Sequence, residues 1–226
     1  MASSSIFHPL LRRAVRSSRL SSCTLVLSSI RSRVGPSSTT PAMSVLSRMI
    51  SSLPRLPILE AIASHDPEST AVVHSISGRE FKYGSLLGDV RRARDKLEAA
   101  APSSGLGGER VAFLVENSYD YIVTLLAIMA ARAIALPLSP AFPAPELQYI
   151  LNQSQASILV SSPKFSTKAE EVLKTGLDSV PTHLLLEKHL QSSEHEAVPL
   201  EGENAGSSGL MLYTSGTTNR PVSLYV

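Results

Sequence analysis

An α/β fold with a mostly parallel sheet, covered by helices on both faces, is predicted by three observations. Short apolar strands alternate with helical segments from Val111 to Leu186, the pattern of successive βαβ units. Those strands are apolar along their whole length rather than at every second residue, which suits burial on both faces. The chain has 226 residues, of which 43% are hydrophobic and 18% charged, enough to build a core of domain size.

Two regions are expected, a leader over residues 1–52 and a folded body over residues 53–226. Residues 1–59 contain eight Arg and no Lys, Asp or Glu. On a helical wheel Ile6, Phe7, Leu10, Leu11, Ala14 and Val15 share one side, and Arg12, Arg16 and Arg19 gather on the other. An amphipathic, acid-poor, Ser-rich segment is the pattern of an organelle transit peptide. Frequent Arg points to the mitochondrion, while abundant Ser leaves the chloroplast open. A merely disordered tail has the same composition. Initiation at Met43 or Met49 would remove most of the leader and leave a cytosolic form.

In the body, Pro54 and Pro57 bracket the entry and Ile58–Ala63 begins a helix. Ala71–His74 and Phe81–Tyr83 are predicted strands joined by the turn Ser77-Gly78-Arg79-Glu80. Gly84–Ala101 is predicted helical. Leu86, Leu87, Val90, Ala93 and Leu97 recur at three and four, and Arg91, Arg92, Arg94, Asp95 and Glu98 are assigned to water. Then come strand Val111–Val115, a helix capped by Asn117 and ending near Ala131, and strand Ala133–Leu138. A helix from Pro143 to about Gln153, strand Ser157–Val160, a helix Phe165–Gly176 closed by Gly176 and strand His183–Leu186 follow. Residues 187–209 read as a solvated surface loop containing His189 and His195. Leu210–Tyr213 is the last predicted strand.

Several function classes are excluded by composition. The formal net charge is +2, but the residues after position 59 carry 13 basic and 19 acidic groups, a balance of −6. A mildly acidic body argues against a nucleic-acid surface. Cys23 is the single cysteine, so neither a disulfide framework nor a cysteine metal site is expected. The six histidines show no metal-ligand spacing. The most apolar stretch, Tyr121–Leu138, is interrupted by Arg132 and Pro137, so no transmembrane segment is predicted.

The chemistry is concentrated in one turn. Leu210-Met211-Leu212-Tyr213 runs into Thr214-Ser215-Gly216-Thr217-Thr218-Asn219-Arg220-Pro221. A turn after a parallel strand is where α/β proteins bind ligands. Gly216 lets backbone N–H groups approach a polyphosphate. The hydroxyls of Thr214, Ser215, Thr217 and Thr218 can donate to phosphate oxygens or hold Mg²⁺. The spacing is not that of a Walker A loop. A plain Ser/Thr/Gly surface turn is the competing reading.

The run Leu-Tyr-Thr-Ser-Gly-Thr-Thr-x-Arg-Pro resembles the phosphate-loop signature of the AMP-forming acyl-CoA synthetase superfamily. Phe81-Lys82-Tyr83-Gly84-Ser85-Leu86, Gly108-Glu109-Arg110-Val111-Ala112, Pro137-Leu138-Ser139-Pro140 and Glu146-Leu147-Gln148-Tyr149-Ile150-Leu151 resemble the same family. The resemblance spans about residues 56–221. Within the family, Leu56–Ile62 and Pro140–Leu147 look most like plant malonate–CoA ligases. The resemblance implies part of the N-terminal domain of the adenylate-forming fold. It also implies ATP, Mg²⁺ and CoA as cofactors or co-substrates, and a small carboxylate, malonate first, as substrate. In the implied reaction a carboxylate attacks the ATP α-phosphate and CoA thiol then displaces AMP. Acetate, a longer fatty acid or an aromatic acid are alternative substrates.

The likeness breaks after Pro221. Asn219 stands where the family has a glycine, Val222 where it has a lysine and Ser223 where it has another glycine. Val222 removes a cation able to meet phosphate. The family's adenine contacts, Mg²⁺-binding acid and C-terminal lid all follow this point. No catalytic residue and no metal ligand is therefore assigned here, and this chain alone is expected to be inactive, with an unpaired edge beside its last strand. The alternative is a non-catalytic truncated isoform that binds a partner such as the full-length enzyme.

Overall fold

The computed structural model describes residues 51–202, 208–214 and 222–225, all within a single compact unit, Ser47–Val226. Of the expected leader, residues 1–52, all but the last two lie outside them.

The chain enters as β1 (Leu53–Pro54) and α1 (Pro57–Ala63). Pro57 sits in the first turn, where its missing N–H costs nothing. A hairpin follows, β2 (Thr70–Val73) and β3 (Glu80–Lys82). The long helix α2 (Tyr83–Ala99) leads to β4 (Arg110–Leu114), α3 (Tyr119–Ala130), β5 (Ile134–Pro137), α4 (Ala144–Ser154) and β6 (Ile158–Ser161). A 3-10 turn, Pro163–Phe165, precedes α5 (Ser166–Leu173). Then come β7 (Thr182–Leu185), β8 (Leu200–Glu201), β9 (Gly209–Thr214) and β10 (Val222–Tyr225).

The main sheet has six strands in the order β10-β9-β5-β4-β6-β7, and the pairs from β9 to β7 are parallel. β10 runs antiparallel along β9, from Val222 opposite Thr214 to Tyr225 opposite Met211. The edge expected beside the last parallel strand is thus occupied. β1 and β8 form a separate two-stranded parallel ladder.

Strand alternation divides the core into two layers. Val111 and Phe113 of β4 and Val115 just after it, with Ala135 and Val160, pack under α2 and α3. Ala112, Leu114, Leu136, Leu159 and Met211 face the other way, against α4 and α5. Successive side chains of a strand point to opposite faces, so each all-apolar strand feeds both layers. Phe81 stacks on Tyr119 at 4.0 Å between centroids and ties the hairpin to α3.

Three local expectations are corrected. The residue before α3 is Ser118, not Asn117, and its hydroxyl donates to the Asp120 carboxylate at 3.2 Å. α5 ends at Leu173, short of Gly176, although Gly176 does adopt a left-handed φ of +82°. The polar face of α2 is not all solvated: Arg94 is 8% exposed, donating to the Ser52 carbonyl at 3.0 Å and pairing with Asp95 at 2.8 Å.

The largest departure concerns residues 187–202. They form a strap laid across α2. His195 Nδ1 lies 2.8 Å from the Gly84 carbonyl, the Glu196 amide donates to the same oxygen at 3.2 Å, and Ser192 Oγ meets Ser85 Oγ at 2.7 Å. Glu196 also pairs with Arg91 at 2.7 Å and with Arg92. Two glycines one turn apart make room for it. A Cβ on Gly84 would lie 2.7 Å from His195 Nδ1 and 2.9 Å from the Pro67 carbonyl, and one on Gly88 would lie 2.9 Å from Glu196 Oε2.

Gly84→Ala is accordingly expected to lower stability by about 1 kcal/mol or more, where helix propensity alone would raise it by a similar amount. Urea unfolding of the variant beside the wild type reads the sign.

Candidate functional site

The parallel strands end together at one edge of the sheet. β5 stops at Pro137, two residues beyond Ala135, and β9 continues to Thr214, four beyond its pairing partner Leu210. The chain passes from β4 to β5 on one side, then returns over β4 to β6 on the other. α3 covers one face after β4, and α4 and α5 cover the opposite face. The connections therefore diverge at the ends of β4 and β5, which opens a crevice where ligands of α/β folds bind.

A cavity of about 720 Å³ occupies that place. Glu116 and Asn117 after β4, Ser139 and Pro140 after β5, and Lys164 and Phe165 after β6 line it, with Ile76 of the hairpin at its mouth. Lys188 Nζ reaches Glu116 Oε1 at 3.4 Å. Burial works against the ionised Glu116 carboxylate, but Ser162, its own backbone amide and Lys188 outweigh burial and hold its pKa below the ordinary value. The crevice thus combines an apolar floor with a few fixed charges, an arrangement suited to orienting a small molecule.

Of the sequence-predicted site residues, Thr214 ends β9 on the crevice side of the sheet. Ser215, Gly216, Thr217 and Thr218 lie outside the described residues. Val222 and Ser223, read as departures from the family pattern, are part of β10. Among the described residues no group of three or more His, Cys, Asp or Glu is placed to hold a metal ion, and no helix is long and apolar enough to cross a membrane.

A second polar cluster lies between α2, α3 and the strap. Asp89, with no exposed side-chain surface, accepts from Tyr119 Oη at 2.6 Å, from Ser193 Oγ at 2.8 Å and from Arg92. His189, which the sequence placed in a solvated loop, is 26% exposed and reaches both acids. Its Nδ1 lies 2.8 Å from Asp120 Oδ1 and its Nε2 lies 3.4 Å from Asp89 Oδ1. The His189 backbone amide donates to Asp120 at 2.8 Å as well. The carboxylates of Asp120 first and Asp89 second, toward which the ring N–H groups point, raise His189 to about 9. Burial opposes ionisation of Asp89, but His189, Tyr119 and Ser193 overcome it and lower its pKa to about 2. Asp120 is lowered in the same way, against burial, chiefly by the ring and amide of His189. Burial and then Asp89 push the Tyr119 hydroxyl up, so it remains a donor. The available signal was Asp89 among the apolar positions of α2, where an unpaired acid would be costly.

A switch-point crevice, with Thr214 ending β9 at the same edge of the sheet, is the place where an α/β domain binds ligands. Residues 59–221 match the family described as AMP-binding enzyme, and the chain belongs to that family. It is 47% identical over 173 residues to a CoA ligase of Gibberella moniliformis, covering 75% of this chain and 29% of that protein. Oxalate–CoA ligase of Arabidopsis thaliana is 29% identical over 174 residues, covering 73% of this chain and 33% of that protein. The chain therefore spans a third or less of the length of these curated relatives. In fold it is similar to apo MatB from Rhodopseudomonas palustris, with a TM-score of 0.57 at 23% identity over 75% of this chain and 34% of that one. It is likewise similar to an anthranilate CoA ligase in complex with anthranoyl-AMP, with a TM-score of 0.58 at 21% identity over 74% of this chain and 33% of that one.

Tyr119→Phe keeps the stacked ring and removes one donor from a buried carboxylate. It is expected to cost about 2 kcal/mol, the range for hydrogen bonds to charged groups, measurable by denaturant titration at neutral pH.

Proposed function

We propose that this chain supplies the phosphate-binding part of an AMP-forming acid–thiol ligase, and that the acid is a short dicarboxylate, malonate first. The observation that carries the reading is the Thr214-Ser215-Gly216-Thr217-Thr218 run, which begins where β9 reaches the crevice edge, within a family match over residues 59–221. The wording of residues 56–62 and 140–147 supports malonate. So does the relative named for oxalate, itself a dicarboxylic acid.

In this reading a carboxylate oxygen bonds to the ATP α-phosphorus and pyrophosphate leaves. The thiol of CoA then attacks the acyl carbon and AMP departs. The loop hydroxyls and amides hold the β- and γ-phosphates, which places the α-phosphorus and spreads the charge of the leaving group. Mg²⁺ would accompany ATP and neutralise its phosphates, and the hydroxyls of Thr214–Thr218 are the groups this chain offers to it. Residues 1–52 are proposed to direct the protein to the mitochondrion, with a cytosolic form from Met43 or Met49.

Pyrophosphate release from the full-length protein with ATP, Mg²⁺ and a panel of acids tests the function. Malonate is expected to exceed acetate, hexanoate and ferulate by about tenfold or more in kcat/KM, and Gly216→Val to reduce the rate by about a hundredfold. A different preferred acid would overturn malonate and keep the ligase. No release with any acid would overturn the ligase. N-terminal sequencing of protein from mitochondrial and cytosolic fractions tests the leader: intact Met1 in mitochondria would refute its removal as a transit peptide.

A further inference from the structure

We propose that His189 is the ionic latch of the strap over residues 187–202, and that loss of its proton releases the strap from α2 and α3. The inference starts from hydrogen-bond capacity. An imidazolium has two N–H donors, and here Nδ1 is hydrogen-bonded to Asp120 at 2.8 Å while Nε2 forms an ion pair with Asp89 at 3.4 Å. A neutral imidazole has one N–H. The ring would then present a lone pair to one of two buried carboxylates that can only accept. No rotation of the ring removes the conflict, because acids lie at both ends of it.

The remaining charges near the ring do not replace the lost donor. From α2, Arg92 is bound to Asp89 and Glu196, and Lys96 lies on the wall of the same cavity. From α3, Tyr119 already donates to Asp89. On the strap itself, Lys188 reaches toward Glu116 at 3.4 Å, and Glu187 adds a further negative charge. The cavity beside the ring is about 190 Å³, room enough for water to enter and hydrate the acids once the strap lifts.

The latch lies upstream of the strand that carries the candidate loop. After His189 the strap is fastened by Ser192, Ser193, His195 and Glu196 along α2, and then by β8 pairing with β1. β9 itself pairs with β5 through two residues, Gly209 and Leu210. Release of the strap would remove a tether from a strand that is lightly held on that side. This consequence for phosphate binding rests on the ligase reading; the latch does not.

The raised pKa of His189 sets the sign of the pH dependence. Its contribution is fully present below the unfolded value near 6.5 and is lost as pH rises through about 9. Asp89 acts in the opposite sense, contributing above its unfolded value of 3.8 and losing that contribution as pH falls through about 2.

Two measurements on the full-length protein test the latch. Carbon–proton NMR of the histidine rings, with His189 assigned by its loss in His189→Gln, should show that ring titrating about two units above an ordinary histidine. An ordinary or lower value would overturn the proposal. Hydrogen exchange, corrected for intrinsic rates, should show protection of residues 190–200 falling by about tenfold or more in His189→Gln, with α4 and α5 unchanged. Unchanged strap protection would refute it. If the variant does not fold, a wild-type pH series decides: the strap should lose protection before α4 and α5 as pH rises, and simultaneous loss would count against a local latch. Neither readout uses ATP turnover, so failure of the latch is distinguishable from failure of the ligase reading.

Discussion

Asp89 has no exposed side-chain surface, yet its partners keep it ionised. A buried carboxylate without donors would be costly, so the elements that supply them must stay in place. Tyr119 comes from α3, Arg92 from α2 itself, and Ser193 and His189 from the strap. One charge therefore registers three segments far apart in sequence. Gly84 and Gly88 belong to the same constraint. Glycine weakens a helix interior, and here the missing side chains leave the space that His195 and Glu196 occupy.

The sheet below depends on a different rule. All-apolar strands must be covered on both faces, and short connections between parallel strands make helices the cover. Because the chain goes from β4 out to β5 and then reverses across the sheet to β6, α3 lies on one face and α4 and α5 on the other. The crevice at the ends of β4, β5 and β6 follows from that reversal. β9, next to β5, brings Thr214 to the same edge. Core and candidate site are consequences of a single strand order.

The two polar systems meet at Lys188. It follows the end of β7, lines both cavities, and reaches Glu116 on the crevice side while the next residue, His189, engages Asp89 and Asp120. The strap thus runs from the crevice wall, across α2, to β8.

Periodicity was enough to read the helices and the strands from β2 to β7, together with β9, because the apolar spacing of each segment records which of its sides are buried. The hydroxyl-rich run stands out in the sequence because its chemistry lies in consecutive residues, of which Thr214 is among the described residues. β1 and β8 were not legible, since two-residue ladders have no period, and β10 was masked by its departure from the family's pattern. Nor was the strap. His189, Ser193 and Glu196 read as solvated because their segment is mostly polar and has no apolar period, and only the folded chain brings Asp89, Arg91 and Arg92 against them. Sequence by itself determined the layers, because apolar spacing is written in each segment; tertiary structure decided which polar groups are buried, because their partners lie far away in the chain, as with Ser193 and Asp89 at a separation of 104.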